Sequence, residues 1–121
     1  MLEVTIDENN SNITRWELNK TTTWDDFTEC LDNLMIQAEN ATEAFSIIAT
    51  TTGKMPRGNA LSQLRRLINI VGDYDTINHF IIINHKRNPV GQAFMTMALQ
   101  LFSKHDKLKI VLSEEEALAL T

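Results

Sequence analysis

Two short apolar runs constrain this chain more than any other feature: Ala44-Phe45-Ser46-Ile47-Ile48-Ala49 and Phe80-Ile81-Ile82-Ile83. Neither alternates apolar with polar residues, so neither suits a strand with one wet face. Both suit strands covered on the two sides of a sheet. The segments around them carry apolar residues at helical spacing. Phe27, Leu31, Leu34 and Ala38, flanked by Cys30 and Met35, form the stripe of a first helix that Asn40 and Ala41 close. Thr23 can cap that helix, with Asp26 three residues on as the reciprocal member of a capping box. Leu61, Leu64, Leu67, Ile68 and Val71 form the inner stripe of a second helix, with Gly72 where a left-handed C-terminal cap belongs. Asn88-Pro89 reads as a cap followed by a first-turn proline, and Val90, Phe94, Met97 and Leu101 as the stripe of a third helix.

The two ends complete the pattern. Leu2, Val4 and Ile6 alternate with Glu3, Thr5 and Asp7, and after the polar stretch 7–12 the alternation resumes at Trp16 and Leu18, which predicts a hairpin. Leu108 to Leu112 predicts a last strand, and Ser113 with Glu116 a second capping box opening a short helix through Leu118 and Leu120. The expected order is β-β-α-β-α-β-α-β-α in one α/β domain over residues 1–121. Strands alternating with helices imply parallel neighbours and right-handed crossovers, while the hairpin adds an antiparallel pair. A mixed sheet of about five strands follows, with Ile47, Ile48, Ile81 and Ile83 at its centre.

Composition narrows the partners. The chain of 121 residues has a formal charge of -5, 43% hydrophobic and 22% charged residues, which is ordinary for a globular domain. Its acidity points away from nucleic acid, which requires a basic face. No apolar run approaches a membrane span of about 20 residues. Met1-Leu2-Glu3-Val4 lacks the basic region and apolar core of a targeting segment. The lone Cys30 can form neither an internal disulfide nor a cysteine zinc cluster. Asn9, Asn12, Asn19 and Asn40 begin Asn-x-Ser/Thr triplets that matter only in a secreted protein, and a cytoplasmic setting is the expectation.

Catalytic and metal constellations are not found in the sequence, and no cofactor is expected. Gly53-Lys54 lacks the upstream glycine and the following Ser or Thr of a phosphate loop, since Ile48 and Met55 stand there. His79, His85 and His105 have no partners at zinc-ligand spacing. Asp73 and Asp75 lack the later ligands of a calcium loop. Ser46, Ser62 and Ser103 lack nucleophile-elbow glycines. Methionines 95 and 97 with Phe94 and Phe102 read as core.

The element order and the closing Lys109-Ile110-Val111-Leu112-Ser113-Glu114-Glu115-Glu116-Ala117-Leu118 resemble the STAS domain, the family of sulfate transporters and anti-sigma-factor antagonists. Thr23-Trp24-Asp25-Asp26-Phe27, with the Ile47-Ile48 strand after its helix, is similar to small bacterial members. The resemblance covers nearly the whole chain in pattern. It implies a non-enzymatic regulatory domain that binds a protein partner, in a family whose members are controlled by phosphorylation of a serine at the start of the second helix. The matching stretch here, 54–61, contains no serine or threonine, and Ala49-Thr50-Thr51-Thr52 occupies the place of the usual acidic residue. No phosphorylation site is therefore carried over.

One local charge asymmetry remains. Lys54 and Arg57 precede the second helix, while Lys86 and Arg87 follow the next strand. Parallel strands bring both segments to the carboxyl ends of neighbours, where open α/β sheets bind ligands and a helix N-terminus favours anions. Lys54, Arg57, Gly58, Asn59, Lys86 and Arg87 are thus the expected anion- or partner-binding residues. A concave surface there favours a small ligand, and a flat one favours a protein, with a homodimer among the arrangements allowed.

Overall fold

A computed structural model describes residues 2–19, 21–51, 60–84 and 92–121, with side chains for all of these except 92–95. Its order is β1 (Leu2–Ile6), β2 (Ile13–Leu18), α1 (Trp24–Asn40), β3 (Phe45–Thr51), α2 (Ala60–Asp73), β4 (Ile77–Ile83), α3 (Gln92–Phe102), β5 (Leu108–Val111) and α4 (Glu114–Leu120). The five strands form one mixed α/β sheet in the order β1-β2-β3-β4-β5. β1 and β2 are antiparallel, and every later pairing is parallel.

The consecutive strand order decides where the helices go. Each right-handed crossover steps one strand in the same direction, so each leaves its helix on the same face. Phe27, Leu31 and Leu34 of α1, Leu64 and Leu67 of α2, and Ala98 and Phe102 of α3 pack into one core. Its sheet side is built from Trp16, Leu18, Ile47, Ala49, Phe80 and Ile82. The opposite face presents Ile13, Ile48, Ile81, Ile83 and Val111, against which α4 sets Ala117. β3 and β4 are therefore buried on both sides, which is why their sequences do not alternate.

The local signals work through specific bonds. Thr23 Oγ1 accepts from the Asp26 amide at 3.1 Å, and Asp26 Oδ2 accepts from the Thr23 amide at 2.9 Å, completing the box that starts α1. In the hairpin, Asp7 Oδ2 accepts from the amides of Asn9 and Asn10, while Arg15 Nε donates to Asp7 Oδ1 at 2.6 Å. The Arg15 guanidinium holds the Asp7 carboxyl below its usual range, with the Asn9 and Asn10 amides adding to the effect. The Ser113 box differs from its expected form. Ser113 Oγ accepts from the Glu116 amide at 3.2 Å, but Glu116 Oε2 reaches past the cap to the Leu112 amide at 3.0 Å.

Several side chains depart from the sequence reading. Val4 and Ile6 are 50% and 56% exposed, because β1 is an edge strand that α1 overhangs only in part. Leu61 is half-buried, and Ile70 takes a place in the α2 core instead. β5 stops at Val111, which leaves Leu112 exposed. Asn88, Pro89 and Val90 lie outside the described residues.

Gly72 is also not a left-handed cap. It sits inside α2, which continues to Asp73. The end of α2 is closed from outside: Lys107 Nζ donates to the carbonyls of Val71 at 3.3 Å and Tyr74 at 3.2 Å. A cation placed there satisfies carbonyls that the helix cannot, and it complements the negative end of the helix dipole. A Cβ added at Gly72 meets no atom within 4 Å. Gly72→Ala is therefore expected to stabilise the fold by about 0.5–1 kcal/mol, since alanine restricts the unfolded chain and favours helix. A thermal melt that failed to rise would place Gly72 outside helical geometry.

Candidate functional site

Lys54, Arg57, Gly58, Asn59, Lys86 and Arg87 lie outside the described residues. The strands that precede those segments in the sequence are described, and their ends define one end of the sheet. Thr50 pairs with Ile83, and Leu18 with Thr51, so β2, β3 and β4 end side by side. The described groups just after β2 and at the ends of β3 and β4 include Asn19, Thr21, Thr22, Thr51 and Asn84, which are hydroxyls and amides. The N-terminus of α1 opens here too, with Asp25 and Asp26 in its first turn. Those carboxylates already complement the positive end of the dipole.

β5 is parallel to β4, so its carboxyl end lies at this same end of the sheet. From there α4 turns back beneath the sheet. Glu114 Oε1 meets Arg15 Nη1 at 2.5 Å, which ties the start of α4 to β2 and, through Asp7, to the hairpin turn. Of the α4 side chains, only Ala117 is buried. Leu112, Leu118 and Leu120 are 47%, 43% and 36% exposed. These three belong to one stretch of nine residues and stand beside three glutamates. The sequence predicts a short terminal helix through Leu118 and Leu120, which at a spacing of two point to different sides of that helix. Leu118, one residue after Ala117, is turned about 100° away from it, so both leucines cannot follow Ala117 onto the sheet.

The titratable and nucleophilic groups are dispersed. Cys30 is buried and free, and burial together with Glu29 and Asp26 pushes its thiol up to about 11. Such a thiol carries little thiolate at neutral pH and is a core residue in its chemistry. His79 sits on β4 with its Nδ1 buried and unpartnered among the described residues. Burial, followed by Lys109 and Lys107, lowers its pKa below the usual histidine value. Its strand neighbour is Ser46, itself buried, and no carboxylate completes a charge-relay arrangement around them in the described contacts. Among the described residues, no group of three or more His, Cys, Asp or Glu side chains could hold a metal ion. Nor is any described helix long and apolar enough to cross a membrane.

The described surface carries open clefts. One of about 340 Å³ lies at the amino ends of the strands, between Asn12, Gln37, Asn40 and Glu43. Another of about 290 Å³ runs between α2 and α3, lined by Arg65, Ile68, Leu101 and Lys104. A smaller gap of about 20 Å³ between Leu18, Phe27, Leu64 and Phe80 has room for about one water and no ligand. Sequence reasoning found neither cleft, because each joins residues from separate elements with no shared spacing. Compared with family models, with curated proteins and with solved structures, the chain matches none of them.

Proposed function

We propose that the chain is a non-catalytic regulatory domain that binds a protein, similar in role to bacterial anti-sigma-factor antagonists, and that its β5–α4 unit contributes to the contact. The observation that carries this reading is the exposure of Leu112, Leu118 and Leu120 on one short unit. Exposed apolar side chains flanked by charge suit a protein interface, in which such residues supply desolvated contacts. The acidic first turn of α4, Glu114 to Glu116, supplies that rim. The element order and the acidic closing helix behind the STAS resemblance also support it.

The test compares the wild-type chain with Leu118→Asp/Leu120→Asp. Leu118 and Leu120 are each covered in part, so a cooperative melt of the double variant is the control that it remains folded. Affinity capture from the native host identifies the partner, and calorimetry with the purified partner measures the change. Removing two interface leucines is expected to weaken binding by on the order of tenfold to a thousandfold. Equal affinity of the two forms would remove β5–α4 from the interface.

A further inference from the structure

We propose that the cleft between α2 and α3 binds a small organic phosphate monoester, with its phosphate between Arg65 and Lys104 and its apolar body on Ile68 and Leu101. This site is separate from the β5–α4 surface. It rests on three observations.

The first is shape. Arg65, Ile68, Asn69 and Gly72 fall at i, i+3, i+4 and i+7 on α2, which places them along one stripe of that helix. Leu101 and Lys104 approach from the end of α3. The volume of about 290 Å³ continues into an adjoining space of about 160 Å³, and the two share Ile68, Lys104 and His105. Gly72 lines the second space. Together these reach the size of small-ligand sites.

The second is charge. The chain is acidic, yet this cleft is walled by Arg65 on one helix and Lys104 beyond the other, with the imidazole of His105 beside them. The other described arginines are committed: Arg15 to Asp7 and Glu114, and Arg66 to Asp32. Among the described residues, Arg65 and Lys104 make no ion pair. Asp106 lines only the smaller space.

The third is the kind of donors. An arginine fork from α2 and a lysine ammonium from beyond α3, with Asn69 and Gln100 also in the lining, offer more donors than a carboxylate can use. They match a dianion with three peripheral oxygens. Ile68 and Leu101 both line the cleft, which gives it an aliphatic wall that inorganic phosphate would leave uncovered.

The probes are phenyl phosphate and inorganic phosphate, titrated at low salt and followed by backbone amide shifts. Phenyl phosphate is expected to move the amides of Asn69, Leu101, Lys104 and His105 along a saturable curve. Inorganic phosphate should bind about tenfold more weakly, since it lacks the apolar body. Arg65→Gln/Lys104→Gln should abolish saturation while the melting temperature stays within a few degrees, because both side chains are exposed. Absence of a saturable shift would overturn the proposal, as would shifts that persist in the double variant. Equal affinity for the two probes would overturn its organic part. Loss of the β5–α4 partner leaves these readouts unchanged, so the two readings fail separately.

Discussion

Ile48→Asp is expected to leave the chain without a cooperative unfolding transition. Ile48 has no exposed surface, and it sits on β3 between Arg15 of β2 and Ile81 of β4. Its side chain joins Ile13, Ile81, Ile83 and Val111 under Ala117 of α4. An aspartate there would be a charge among aliphatic groups. It would either stay ionised without compensation or take up a proton at the cost of a large pKa shift. Losing the buried isoleucine adds about 2–5 kcal/mol to that penalty. A domain of this size holds only about 5–15 kcal/mol in total, so the sum reaches the whole stability. Circular dichroism across temperature measures the outcome. A variant that melts cooperatively near the wild-type temperature would show that Ile48 does not lie between two packed layers.

What could be read from the sequence follows from how local each signal is. The runs around Ile47-Ile48 and Phe80-Ile83 mark doubly covered strands because burial on both sides leaves no polar position free, and the structure places β3 and β4 at the sheet centre. The Thr23/Asp26 box is equally local, with both partners within one turn. Gly72 shows the limit. Glycine at the end of a helical stripe suggests a left-handed cap, but the cap here is Lys107, brought from the far side of β4 by the tertiary fold. Val4 and Ile6 show it again: alternation fixes which face they share with Leu2, but only the strand order reveals that β1 is an edge. The strand order itself had no local signal. The α2/α3 cleft depends on it, because α2 and α3 are neighbours only if β3, β4 and β5 are consecutive in the sheet. The residues expected from loop charge at the carboxyl ends of β3 and β4 fall outside the described residues. The described groups at the carboxyl ends of β2, β3 and β4 are uncharged amides and hydroxyls or the acids of α1.

Trp16→Ala is the second large effect, at about 3–5 kcal/mol of lost stability. The sequence shows Trp16 as one apolar position in an alternating strand, with nothing to set it above Leu18. In the structure it is only 2% exposed and stands where three elements meet. Its ring lies edge-on to Phe27 of α1 at 5.9 Å and 89°, and edge-on to Phe80 of β4 at 5.3 Å and 81°. Edge-to-face pairs of this kind contribute about 0.5–1.5 kcal/mol each beyond the area they bury. Alanine would remove both pairs and leave a void beneath α1 that rigid sheet neighbours cannot close, which places the cost in the upper part of that range. Trp16→Phe keeps part of the packing and should cost less than Trp16→Ala. Urea unfolding of the three forms separates these effects: the midpoint should fall in the order wild type, Trp16→Phe, Trp16→Ala, with an unchanged slope if the denatured state is unaffected. A loss below about 1 kcal/mol for Trp16→Ala would mean that the aromatic junction can repack. The link from β2 through α1 to β4 would then not depend on this ring.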